Sequence, residues 1–273
     1  MLGPLAQTPQ AAPVAQPSAL GPEDPGPVGD LEMKQILRAR GYGQYVDRMI
    51  HRIDRVDSRF VGIKWGIVEG SSSNWGGYIA DVNGTGNFVS QTQGFFNVTQ
   101  VTSTPAVSSW TGVGGVYGTK KLWQTGIDQY ALQAWIEFFP DSALYFFPVH
   151  VGDQIFSNVF YTQSNNTWTL VISDQTGGDY TSRSRANDSP DISTGEWITE
   201  AQPGTTVPFF VHVNFSGSYW WRNTDGFAQA IDSSLARQTI HTVLKRPATN
   251  PAYCVYPDSL VLSGTSFNNW WGC

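Results

Sequence analysis

Charge is scarce in this chain: Asp, Glu, Lys and Arg together make up 14% of its 273 residues, with a formal net charge of -6. So few cations form no basic stripe interleaved with aromatics of the kind that follows a phosphate backbone, and nucleic acid is not an expected partner. Long hydrophobic runs are missing too. Nothing reaches the roughly eighteen apolar residues that a membrane-crossing helix needs, so no membrane partner is expected. Cysteine is limited to Cys254 and Cys273. A bridge between them would stabilise the fold by roughly 3 kcal/mol in the chain-entropy model, and two free thiols are the alternative. The chain has no G-x-S-x-G elbow, no H-E-x-x-H helix, no C-x-x-C pair and no G-x-x-x-x-G-K-[ST] loop, so the usual hydrolase and nucleotide signatures are absent. Its four histidines, His51, His150, His212 and His241, are too scattered in sequence to suggest a metal site, and no cofactor is expected. The start also lacks the charged beginning and apolar centre of a signal peptide, and the expectation is that one has been removed.

Hydrophobic residues make up 40% of the chain and aromatics 14%, enough for one large core. Organisation changes along the sequence. Residues 1–29 are rich in Pro, Ala, Gly and Gln without any aromatic, and read as a disordered linker. In residues 30–64, Tyr42, Tyr45, Val46, Met49, Ile50, Ile53 and Val56 recur at helical spacing, with Arg48, Arg52 and Arg55 on another face. That segment holds eight Lys/Arg against five acids, whereas residues 65–273 hold eight against fifteen. A basic helical segment lying against an acidic domain reads as a pro-segment bound in cis, released as carboxylates protonate in acid, with a simply structural helical extension as the alternative.

From about residue 65 the helical period gives way to short runs of Val, Ile, Thr, Phe, Tyr and Trp between Gly, Asn, Asp and Pro clusters, such as "GYIADVNGTG", "TWTLVISDQTGGDYTS" and "VPFFVHVNFSGSYWW". This pattern predicts an all-β antiparallel sandwich or barrel over residues 65–273. "GFAQAIDSSLARQ" is the one later stretch with helical character.

Four stretches in order, "SSNWGGYIA" at 72–80, "SSWTGVGG" at 108–115, "LWQTGIDQYALQAWIEFFPD" at 122–141 and "GEWITE" at 195–200, together resemble the glutamic peptidases called eqolisins. "VPFF" at 207–210 follows as it does in that family, and the likeness spans about residues 71–267. It implies a β-sandwich of two large antiparallel sheets, a lectin-like jelly roll. It also implies a secreted acid endopeptidase, expected to be monomeric and to act on proteins or peptides. Carried over by motif, the resemblance makes Gln124 and Glu196 the catalytic pair, with Trp75, Trp110 and Glu137 lining or supporting the cleft. Where the family commonly has Asp, this chain has Gln133 and Gly114, which bears on how the pair is held and its acidity tuned.

The chemistry suits those residue types. An ionised Glu can deprotonate water, and a neutral Gln amide can donate to the oxyanion that forms on a peptide carbonyl. An ordinary Glu ionises near pH ~4.3, so such a base works in acid where histidine-dependent triads are protonated. Trp75 and Trp110 serve either the cleft or the core, because eleven tryptophans must mostly pack. Glu200 reads as a surface residue. Two other functions compete: a sugar-binding module presenting Trp220, Trp221, Trp270 and Trp271, and a glycosidase using Glu137 with Glu196.

Overall fold

The computed structural model describes residues 67–102, 107–117, 121–188, 192–201, 207–245 and 253–272. The linker and pro-segment expectations for residues 1–29 and 30–64, and Cys273, lie outside the described residues. Cys254 is fully buried and disulfide-bonded.

Among the described residues sixteen strands follow one another: β1 (Ile67–Ser72), β2 (Trp75–Asp81), β3 (Val89–Asn97), β4 (Val107–Gly114), β5 (Leu122–Asp128), β6 (Gln133–Phe139), β7 (Leu144–Pro148), β8 (Gln154–Thr162), β9 (Thr167–Asp174), β10 (Tyr180–Ala186), β11 (Thr194–Ala201), β12 (His212–Arg222), β13 (Gln229–Ala230), β14 (Gln238–Lys245), β15 (Tyr253–Pro257) and β16 (Phe267–Trp271). A 3₁₀ turn, Gln163–Asn165, joins β8 to β9. Every pairing is antiparallel except β1 with β14.

The pairing order β10-β9-β8-β3-β12-β16-β15-β14-β2-β11-β4-β5-β6-β7 is unbroken. Where the sequence leads to two large sheets, the structure shows one continuous ladder whose arms double back face to face. β3, β8 and β9 lie across β4, β5, β6 and β11. The Trp197 indole donates to Gln93 O at 2.8 Å, and the Ser157 hydroxyl to Thr125 O at 2.9 Å, between the arms.

Alternation along the strands separates two apolar clusters, because successive side chains point to opposite faces. Val113, Trp123, Ile136 and Trp197 pack between the arms with Leu170, Phe96 and Phe215. Trp75, Ile79, Trp110, Leu122, Trp135 and Ile198 form the second cluster on the opposite face of the arm built from β2, β11, β4, β5 and β6, the inner arm. Strands β2, β4, β5 and β11 are consequently buried at every position, whereas β3 alternates.

The stretch of helical character is not a helix. Gln229–Ala230 pairs with β12, and the Trp220 indole takes Ala230 O at 2.7 Å. Beyond it Ser233 accepts from Leu235 N and donates to Gln229 Oε1, side-chain bonds that compete with helical ones.

Candidate active site

Register across the inner arm sets the site. Glu137 on β6 is opposite Gln124 on β5, Gln124 opposite Gly112 on β4, Gly112 opposite Glu196 on β11, and Glu196 opposite Ile79 on β2. Directly opposed residues share a face, so Glu137, Gln124 and Glu196 project from one row. By parity this is the face of Trp110, Trp135 and Ile198, away from the interface between the arms. Gln124 and Glu196 stand two strands apart, about 10 Å between backbones, with the side-chain-free Gly112 between them.

All three polar side chains are buried, with Glu196 at 0% exposure and Gln124 at 1%. Gln124 Nε2 donates to Glu137 Oε2 at 2.5 Å, which fixes the amide end for end. Gln124 Oε1, both carboxyl oxygens of Glu196 and the Trp75 indole N–H have no hydrogen-bond partner. A buried polar atom left unpaired costs about 1–3 kcal/mol, and four on one face point to a place for water or a ligand's polar groups.

Burial pushes the Glu196 carboxyl well above the ordinary carboxylate range, and the charge of Asp81 adds to the effect. The Thr194 hydroxyl and Gly114 N–H favour the charged form, but neither completes a hydrogen bond of normal geometry. The expectation of an ordinary glutamate titrating near pH ~4.3 therefore changes: Glu196 holds its proton to higher pH.

Trp75 and Trp110 are fully buried and meet edge to face, with centroids 5.1 Å apart. They belong to the packed cluster beside the row. Glu200 is not a surface residue. It is 5% exposed and accepts from Asn74 Nδ2 and Trp110 Nε1, each at 2.9 Å. Its spacing from Glu196, four residues along a strand, put it on the same face and was the available signal. Gln133 is buried opposite Asp128. At Gly114, φ is +91° and an added Cβ would stand 2.8 Å from Lys121 O, so this backbone does not accommodate an aspartate there.

Asp128, missed in the sequence, is buried at the end of β5. Burial raises its carboxyl from 3.8 to about 6, although Tyr130 N and Ala131 N each donate to Oδ1 at 2.8 Å. A raised acid is protonated in the folded state where the unfolded chain has already ionised. Its stabilising effect is complete below the unfolded value and is lost as pH rises through the folded one. Between those limits the Asp128 contribution falls by about 3 kcal/mol. Asp128→Asn is expected to flatten that decline; urea unfolding across this window measures it, and an unchanged slope would show that Asp128 does not cause it.

Among the described residues no group of three or more His, Cys, Asp or Glu is placed to hold a metal. A buried carboxyl and a buried amide thus stand in one row across an all-β sheet, each with an unpaired oxygen. The profile of the Peptidase A4 family matches residues 73–248, and the chain belongs to that family, the eqolisins, as a glutamic endopeptidase. Among solved structures it is similar to scytalido-glutamic peptidase with a transition-state analog inhibitor, at 22% identity and a TM-score of 0.59, over 74% of this chain and 99% of that one. It is also similar to SCP-B, an eqolisin in complex with the tripeptide Ala-Ile-His, at 20% identity and a TM-score of 0.56, over 74% and 99% of the two chains. No match is found among curated protein sequences.

Proposed function

We propose that the chain is a secreted endopeptidase in which Glu196 is the general base and Gln124 the oxyanion donor. The single observation carrying this reading is the row Glu137–Gln124–Gly112–Glu196, with unpaired oxygens on its amide and distal carboxyl. The carboxylate of Glu196 takes a proton from water as the water oxygen attacks the peptide carbonyl carbon. The carbonyl π electrons move onto oxygen, where an N–H of Gln124 meets the developing charge. Glu137 accepts one of the two amide hydrogens and leaves the other for this purpose. Collapse of the intermediate breaks the C–N bond, and Glu196 returns its proton to the departing amine. Peptide ligands on the two structural relatives support a peptide substrate.

Because Glu196 must be ionised to act, the ascending limb of the pH profile belongs above the ordinary glutamate value, where the tuned base approaches the operating pH. The position of that limb bears directly on how acid the working range is.

The rival readings lack support from geometry. Trp220 is core, and the indoles of Trp270 and Trp271 donate to Asp258 Oδ2 and Val207 O. Glu137 and Glu196 stand three strands apart, about 14 Å between backbones, with Glu137 engaged by Gln124, unlike two carboxyls flanking a glycosidic bond.

The mechanism uses no metal, serine or cysteine. Cleavage of a denatured protein, followed by mass spectrometry from strongly acid to neutral pH, is expected to persist with a chelator and with serine and thiol reagents. Absence of cleavage at every pH, or its abolition by the chelator, would overturn the proposal.

A further inference from the structure

A second buried carboxylate lies beside Glu196 that neither the motifs nor the mechanism uses. Asp81, at the end of β2, is opposite Thr194 on β11 and Gln238 on β14, in the row next to that of Glu196. Thr194 precedes Glu196 by two residues, so Asp81 is its diagonal neighbour on the same face, at about 7–8 Å. Asp81 has 0% exposure and is held by donors on three sides. The Tyr117 hydroxyl reaches Oδ2 at 2.6 Å, Gln238 Nε2 reaches Oδ2 at 2.8 Å, and Asn83 N reaches Oδ1 at 2.7 Å. Gln238 Nε2 also meets the Tyr117 oxygen at 3.0 Å, closing a small ring of bonds. Arg237 Nη1 is 3.9 Å from Oδ2 and sits near the surface, with its side chain 34% exposed.

We propose that Asp81 is a positioning residue for the reaction: held by Tyr117, Gln238 and Asn83 as the diagonal neighbour of Glu196, it acts electrostatically on that carboxyl across the face. The proposal rests on Glu196 being the reacting carboxyl. The groups facing Glu196 are few. β2 contributes Asp81, β5 the neutral Gln124, β6 Glu137 beyond it, β11 the Thr194 hydroxyl and, four residues along, Glu200, and β4 only Gly112 and Gly114. β14 contributes Gln238 and Ile240 in register, with Arg237 just before it. Asp81 is the acid whose charge is felt at Glu196, second to burial in raising it. The Tyr117 phenol stays a donor in this network, because desolvation and then the bond to Asp81 push its ionisation upward.

Two like charges at this separation and an effective dielectric constant of about 20 shift a titration by roughly one and a half pH units, less whatever Arg237 offsets. In the full chain, Asp81→Asn is expected to move the ascending limb of kcat/KM down by about that much. Arg237→Gln removes the offsetting cation, leaves the buried network in place, and moves the limb upward. A readout independent of turnover is the infrared carbonyl stretch of the protonated Glu196 carboxyl, identified by its loss in Glu196→Gln. That band is expected to disappear at lower pH in Asp81→Asn and at higher pH in Arg237→Gln. If it titrates at the wild-type pH in every variant that folds, Asp81 is only structural and the inference is wrong. If the band shifts as expected while Glu196→Gln still turns over substrate, the electrostatic coupling stands and the catalytic reading of Glu196 fails.

Discussion

Glu196→Gln is expected to lose at least about 10²- to 10⁴-fold in kcat/KM, the usual worth of a positioned proton transfer, without losing the fold. The substitution preserves shape and removes the ability to accept a proton from water. Gln124→Ala is expected to cost about 10²- to 10³-fold by withdrawing a donor from the oxyanion. Residues acting on one transition state are not additive, so the double variant should fall little below the worse single one. Stability separates this outcome from misfolding through its sign. The carboxyl of Glu196 is raised, so its stabilising effect is present below the unfolded glutamate value and is lost as pH rises toward the folded one. An amide carries no charge to bury. Glu196→Gln should therefore unfold no more readily than the parent at neutral pH, while being nearly inactive. Steady-state kinetics with thermal unfolding on the same preparations would test both parts. Near-normal turnover in a well-folded Glu196→Gln protein would remove this residue from the mechanism.

The same linkage gives acid tolerance a more specific cause than sparse charge. Carboxyls that are paired in the folded state lose stabilising interactions when acid protonates them. Asp128 and Glu196 behave oppositely because burial dominates at both, outweighing the two backbone donors at Asp128. Both favour the folded chain as pH falls, and both are on the site face of the inner arm.

The strands and the polar row were legible for different reasons. Runs such as "TWTLVISDQTGGDYTS" carry their own turn chemistry, and the structure makes them β9 and β10 with Asp174 Oδ1 accepting from Thr176 N and Gly177 N in the turn. Gln124 and Glu137 are thirteen positions apart in one motif and become directly opposed through a hairpin, which local sequence suggests. Glu196 joins them only through β4, and no local pattern encodes that adjacency; only the family resemblance pairs it with Gln124. Asp81 and Asp128 were invisible for another reason. An Asp before a turn ordinarily reads as a solvated turn residue, and burial depends on strands packed from elsewhere in the chain. The segment at 226–238 misled because Ala, Gln and Leu favour helices, while Ala230 O is taken by Trp220 across the sheet.

Gly112→Ala provides a separate test of where substrate lies. Gly112 is the central position of the row, and a methyl there would meet Trp110 Cζ3 at 3.0 Å, Gln124 Cβ at 3.1 Å and Trp123 O at 3.1 Å. Those contacts are tight without being prohibitive, and the backbone at Gly112 is not in the left-handed region. Overpacking of this kind costs about 1–3 kcal/mol, which a large β core can absorb. Activity is expected to suffer more, because the methyl fills the gap between amide and carboxyl and displaces Gln124 at its Cβ. A misplacement of about 1 Å can cost on the order of 10²-fold in rate. The loss should appear in kcat as well as KM, since the oxyanion donor and the base would no longer converge on one carbonyl. Gly226→Ala is the control: nothing lies within 4 Å of an added Cβ there, and neither stability nor turnover should change. If Gly112→Ala folds and cleaves peptides like the parent, the peptide bond does not pass between Gln124 and Glu196, and the row cannot be the reacting centre.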